Sequence, residues 1–184
     1  MAVDKYTVIA IPTDVPLAEA TAENYVFNGV TELSHEIENE LKERQVGKKM
    51  DYEGGVVTET VSVTFPYDPI FKSDRDLKDA IKAGKQMRIW IIQNAVVKGT
   101  VDSAEADGHN ATFAYAIPES RSLSVDDEDE TIEASFKIKF NSADGFEPKL
   151  PDEILDTELA TQVAYERVGE NEGTLEEVVA KKSV

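Results

Sequence analysis

Cysteine is absent from the 184-residue chain, which removes disulfide scaffolds, thiolate metal sites and cysteine nucleophiles together. Histidine occurs only as His35 and His109. Neither lies in a zinc-binding pattern such as H-E-x-x-H, so both are read as structural. There is no glycine-rich phosphate loop, and the pair Gly54-Gly55 reads as a turn. The segment Asp102 to Gly108 puts Ala104 and Ala106 where a calcium loop needs oxygen ligands. No apolar run approaches the ~18 residues of a membrane-crossing helix, and no basic-then-apolar leader opens the chain. A catalytic site needs a nucleophile, a base and an orienting group that converge, and nothing in the sequence suggests one. The expectation is a protein that is no enzyme, holds no cofactor or metal, spans no membrane and is not secreted.

What is abundant is negative charge. Thirty-seven acidic residues against nineteen basic ones give a net charge of −18, well beyond the magnitude of ~2–8 usual for a small soluble domain. Such a surface repels phosphate, which argues against a nucleic-acid reader that depends on phosphate contacts. The apolar fraction of 41% is enough for one core.

Alternation with period 2 marks the strands. Val57, Val61, Val63 and Phe65 share one face, and Thr58, Thr60, Ser62 and Thr64 the other. Glu59 breaks the apolar phase, which suggests a bulge there. Ala111, Phe113, Tyr115 and Ile117 alternate with small or polar neighbours, and Leu123 and Val125 keep that phase past Pro118, itself a sign of an edge or a bulge. Ile132, Ala134, Phe136, Ile138 and Phe140 alternate with Glu133, Ser135, Lys137, Lys139 and Asn141. Met87 to Ile92 is apolar without alternation and reads as a strand covered on both faces. Tyr6 to Ile11 and, more weakly, Val30 to Ile37 complete the set. Trp90, Phe113, Tyr115, Phe136 and Phe140 are expected inside.

One helix is expected over residues 74–83. Ser73 and Asp76 have capping-box spacing, Leu77, Ala80 and Ile81 share a face, Asp74 and Asp76 suit the positive end of the helix dipole, and Gly84 supplies the stop. The fold class is therefore mainly β: a two-sheet antiparallel β-sandwich or open barrel with one flanking α-helix and a long inter-strand loop over about 40–54. That loop, too long for a tight hairpin, carries the densest basic cluster, Lys42, Arg44, Lys48 and Lys49.

Its opposite is the run Asp126-Asp127-Glu128-Asp129-Glu130 between two strong strands. Five successive carboxylates read as a solvated hairpin end, or as the partner of a neighbouring subunit's basic loop. After residue 148 the periodicity fades. Between Asp144 and Glu177 stand eleven acidic and two basic residues, so residues 1–148 are read as the domain and 149–184 as an acidic C-terminal extension.

The order of elements resembles the major tail (tail tube) proteins of long-tailed phages with non-contractile tails, the siphophages. The segments that carry the likeness are Gly29 to Leu33 entering a strand, the polar stretch Glu38 to Tyr52, the strand Val56 to Phe65, the helix from Ser73, the strand Gln86 to Ile92, and the strand pair joined by Asp126–Glu130. The resemblance implies a β-sandwich with a flanking helix whose copies close into hexameric rings. The rings would stack into a tube through which DNA passes without specific binding. It also implies a place in the virion tail, assembly in the host cytoplasm, and contact with other tail proteins such as the tape measure and the tail terminator. The long loop, with Lys42, Arg44, Lys48 and Lys49, would then reach an adjacent subunit or ring.

Six subunits lending about four strands each make ~24 strands. At ~4.8 Å spacing and ~40° tilt these enclose a bore on the order of 40 Å, wider than the ~20 Å of duplex DNA. An acidic wall would let a polyanion slide. The smooth row Thr58, Thr60, Ser62 and Thr64 is the expected lining, in preference to the lysine-bearing row Glu133, Ser135, Lys137 and Lys139. The alternative function is a soluble β-sandwich binding module for carbohydrate or a receptor. Against it, sugar platforms expose aromatics, which make up only 8% of this chain.

Overall fold

A computed structural model describes residues 5–69, 72–101, 106–126, 129–151 and 154. Contacts divide the chain into two units, Met1–Leu150 and Pro151–Val184. The architecture described here is that of the first unit. Asp127, Glu128 and nearly all of the expected extension lie outside the described residues.

The strands are β1 (Tyr6–Pro12), β3 (Glu32–Val46), β4 (Lys49–Pro66), β5 (Met87–Val101), β6 (Ala106–Val125) and β7 (Glu130–Ile138), with apolar and polar residues alternating most clearly in the second half of β4 and in β7. Two short strands that the sequence does not announce, β2 (Val26–Phe27) and β8 (Ala143–Pro148), join them, along with a one-turn helix α1 (Ala22–Tyr25). Every pairing is antiparallel, in the order β2-β1-β5-β6-β7-β4-β3, and β8 lies along the first half of β6.

The path curls on itself. Phe27 on β2 stacks on Phe65 of β4 with ring centroids 4.6 Å apart, and the Thr31 N–H donates to the Thr64 carbonyl at 2.8 Å. Between the facing ends lies one core that includes Val8, Val61, Val63, Ile89, Ile132 and Phe136. At roughly 1.5–3 kcal/mol per fully buried large apolar side chain, this enclosure drives the fold. The expected mainly-β open barrel with a flanking helix is what forms.

Helix α2 runs Lys72–Ala83 and buries Leu77 and Ala80 in that core. Ser73 is not its cap. The Ser73 hydroxyl lies inside the first turn and donates to the Val26 carbonyl at 3.3 Å. Glu59 is not at a bulge: it pairs in register with Ile37 and is buried, 8% exposed, on the core face.

The phase of β6 is the reverse of the expected one. Ala114 and Ala116 face the core, while Phe113 is half-buried and Tyr115 exposed. Trp90, opposite Phe113, shares that outer face and packs on it at 5.0 Å. Small residues face inward because α2 approaches β6 there, and larger ones would fill the room that Leu77 and Ala80 occupy. A bulge between Pro118 and Ser120 then shifts the phase, so that Arg121, Leu123 and Val125 follow the core side. Phe140, also expected inside, lies beyond the end of β7 with φ 64 and is 92% exposed. His109 is fully buried in β6, its Nδ1 3.3 Å from the Ala95 carbonyl oxygen.

Candidate assembly surfaces

The long loop expected over 40–54 is a β-hairpin arm. β3 and β4 pair from Glu32↔Thr64 to Val46↔Lys49, with one register shift between Glu40 and Lys42, and are joined by a two-residue turn, Gly47-Lys48. Gly47 has φ 66, and a positive φ at the first central residue alone is the II′ turn that suits twisted hairpins. Beyond Thr58 the arm is exposed along its length and reaches ~30 Å past the core at ~3.4 Å per residue. The sequence hides it because a ribbon wet on both faces has no buried face to impose alternation. Its base is anchored by Glu59, whose carboxylate accepts the Ser142 N–H at 3.0 Å and lies 3.5 Å from His35 Nε2.

The basic cluster therefore sits on strands and a turn. Lys42 stands directly opposite Glu53 and Arg44 opposite Asp51, Lys48 is in the turn, and Lys49 begins β4. All four are exposed. Opposite charges across an antiparallel pair support the register.

Thr58, Thr60, Ser62 and Thr64 lie on the outer face of β4. Their partners on β3 are Glu38, Glu36, Ser34 and Glu32, and on β7 Thr60, Ser62 and Thr64 pair with Lys137, Ser135 and Glu133. The row preferred for the bore and the row set against it are thus one face of one sheet. Ser120 and Ser122 on β6 extend it through Ser135 and Glu133. Lys137 Nζ donates to Thr60 Oγ1 at 2.9 Å and lies 3.7 Å from a Glu119 carboxylate oxygen, so its charge is countered locally. The result is a hydroxyl-rich, net acidic surface over four neighbouring strands. Both of its edges lack a strand partner among the described residues: the outer side of β3, and the second half of β6, where β5 pairs only as far as Ala116.

The acidic run lies at the other end of the sheet. Glu130 pairs with Val125 and closes a turn in which the Asp129 N–H donates to Asp126 Oδ1 at 2.7 Å. Pro66, the last residue of β4, pairs with Thr131 beside that turn. The arm tip is at the first residue of the same 18-residue strand, up to ~60 Å away. Basic tip and acidic turn cannot meet within one copy.

A cleft of about 650 Å³ opens at the base of the arm, lined by Leu33, His35, Ile91, Asp144 and Phe146 among others. Among the described residues no group of three or more His, Asp or Glu is placed to hold a metal ion.

This fold has known counterparts. The solved SPP1 tail tube protein superposes with a TM-score of 0.68 at 19% identity, covering 94% of this chain and 95% of that one. A tail protein of Staphylococcus phage phiMR11 is 36% identical over 180 residues, 96% of this chain and 92% of its own length. The chain belongs to the phage tail proteins and has the fold of the SPP1 tail tube. The tail of an empty gene transfer agent particle, refined with C6 symmetry, shares the fold with a TM-score of 0.51 at 9% identity, over 76% of this chain and 94% of its own. No protein-family model matches the sequence.

As a phage tail protein, the chain is a structural component of the virion tail and not an enzyme. Two surfaces stand out, the polar four-stranded face and the arm. Sequence reading found their charged members, whereas Ile37, Leu41, Met50, Tyr52 and Val57 on the arm, each 49–60% exposed, emerge as one surface only in the structure. Their signal was present as isolated apolar residues in a charged stretch, which only the pairing register assembles into a surface.

Proposed function

We propose that copies of this tail protein close into six-membered rings that stack into a hollow tube, with the polar β6-β7-β4-β3 face lining the bore. The observation that carries this reading is the four-stranded hydroxyl-rich face whose two edges have no strand partner among the described residues. Unpaired edge N–H and C=O groups call for a neighbour, and β3 of one copy beside the second half of β6 of the next continues the ladder around a ring. Four strands per copy match the ~24-strand circle that clears duplex DNA. The sixfold symmetry of the gene transfer agent tail supports six copies. A lining of Glu32, Glu36, Ser62, Thr64 and Glu133 gives phosphates nothing to condense on, so DNA passes without binding.

Rings are joined by the arm. Its cluster Lys42, Arg44, Lys48 and Lys49 and the turn bearing Asp126, Asp129 and Glu130 stand at opposite ends of one copy, the arrangement of a head-to-tail contact that propagates as a filament. Asp127 and Glu128 belong to the same acidic run. Assembly in the host cytoplasm, around a tape measure and up to a terminator, completes the reading, with residues 149–184 as an extension of the domain. Negative-stain microscopy of the concentrated protein tests it: rings or hollow tubes are expected, and dispersed monomers at all concentrations would refute it.

A further inference from the structure

The arm has an irregularity that its charged sequence conceals. Glu40 pairs with Val56, but Lys42 pairs with Glu53, so Leu41 faces two residues, Gly54 and Gly55. This is a bulge with the extra residue on β4. Gly55 is obligatory there: a Cβ would stand 1.6 Å from the Glu40 carbonyl oxygen. The Asn39 carboxamide oxygen fixes the bulge by accepting the Gly55 N–H at 3.0 Å.

The consequence is one of phase. With the bulge, Met50 and Tyr52 fall on the same face as Ile37, Leu41 and Val57, the face that continues the core. Lys42/Glu53 and Arg44/Asp51 fall on the other, together with the apolar Val46 and Val56. A regular ladder running on from Glu40↔Val56 would set Glu43 against Glu53 and Arg44 against Tyr52. Like charges would then face each other, and Asp51 and Glu53 would interrupt the apolar side.

We propose that the Gly54–Gly55 bulge sets the phase of the arm and so builds an apolar docking stripe, Ile37, Leu41, Met50, Tyr52 and Val57, that seats on a second copy of this chain at Leu123 and Val125, beside the acidic turn. This rests on the assembly reading above. The occupant is argued from complementarity. Leu123 and Val125 are 42% and 63% exposed at the far end of the sheet, on its core side, and are followed at once by Asp126. The stripe ends at the turn that bears Lys48, while Lys42, Arg44 and Lys49 stand on the other face of the same ribbon. An apolar strip that ends in a cationic turn thus has, on every other copy, an apolar lip that ends in an acidic turn.

Two experiments test it, each on the full chain. Gly55→Val forbids the bulge, and deleting Gly54 from that variant removes the extra residue and restores the present phase without a bulge. Gly55→Val is expected to keep a β-type circular dichroism spectrum and a cooperative thermal transition while raising the concentration needed for tubes more than ~10-fold, or ~1.4 kcal/mol; the additional deletion returns it toward wild type. Normal assembly of Gly55→Val, or failure of the deletion to rescue a folded chain, would overturn the phase argument.

For the partner, Tyr52→Cys and Leu123→Cys chains are mixed under assembly conditions with a short bis-maleimide, the natural chain having no competing thiol. A mixed cross-linked dimer well above the level of like pairs is expected, and its absence from assembled tubes would overturn the assignment of the socket. Should charge reversal of the basic tip leave tubes intact, the assembly role of the arm fails as a whole; failure confined to these two experiments leaves that role standing.

Discussion

Arg121 on β6 grips Asp74 in the first turn of α2 with a two-pronged contact: Nε and a terminal guanidinium nitrogen donate to the two carboxylate oxygens at 2.6 and 2.9 Å. Both side chains are largely buried, at 11% and 6% exposure. Lys78 adds a contact at 3.3 Å from the next turn. The pair ties the helix to the strand whose alanines it covers.

Asp74→Ala leaves the Arg121 guanidinium buried and uncompensated, and removal of one partner of such a pair costs about 3–5 kcal/mol. Urea unfolding of the monomer should show a loss of that order. A double variant that adds Arg121→Met should recover part of it, because the orphaned charge is then gone.

Reversing Lys42, Arg44, Lys48 and Lys49 to glutamate together leaves the core untouched, since all four stand on the arm. The monomer's thermal midpoint is expected to shift little, while sedimentation and negative stain show no tubes. High salt should weaken wild-type assembly in the same direction, because exposed charge pairs are screened.

Burial pushes the Glu147 carboxyl up from its ordinary range. A carboxylate whose folded value lies above its unfolded one favours the folded state while protonated, and that contribution is lost as pH rises through the folded value. Glu147→Gln should therefore be more stable than wild type at pH 7, and the gap should close as pH falls toward ~4. Paired thermal melts at the two pH values check this; a gap that widens on acidification would contradict the sign.

The sequence made most of the barrel legible because burial on one face writes alternation into it. Val61, Val63 and Phe65, and Ile132, Ala134 and Phe136, are where period 2 put them. It misled where size and burial part company, at Ala114 and Ala116 against Phe113 and Tyr115, since a helix seated on a strand rewards small residues there. It misread the paired arm over about 40–54 as a loop, because no face there is buried. The charged candidates of the assembly surfaces could be named from composition, but their geometry could not: that Thr60 and Lys137 share a face follows from register alone.

The most direct test of the central claim is a helical reconstruction by electron cryomicroscopy of tubes grown from the purified chain. The account predicts a hollow bore walled by β6, β7, β4 and β3, with Glu32, Thr60, Ser62 and Glu133 facing the lumen and each arm lying on another copy. A bore walled by other strands, or this face on the outer surface of the tube, would contradict it.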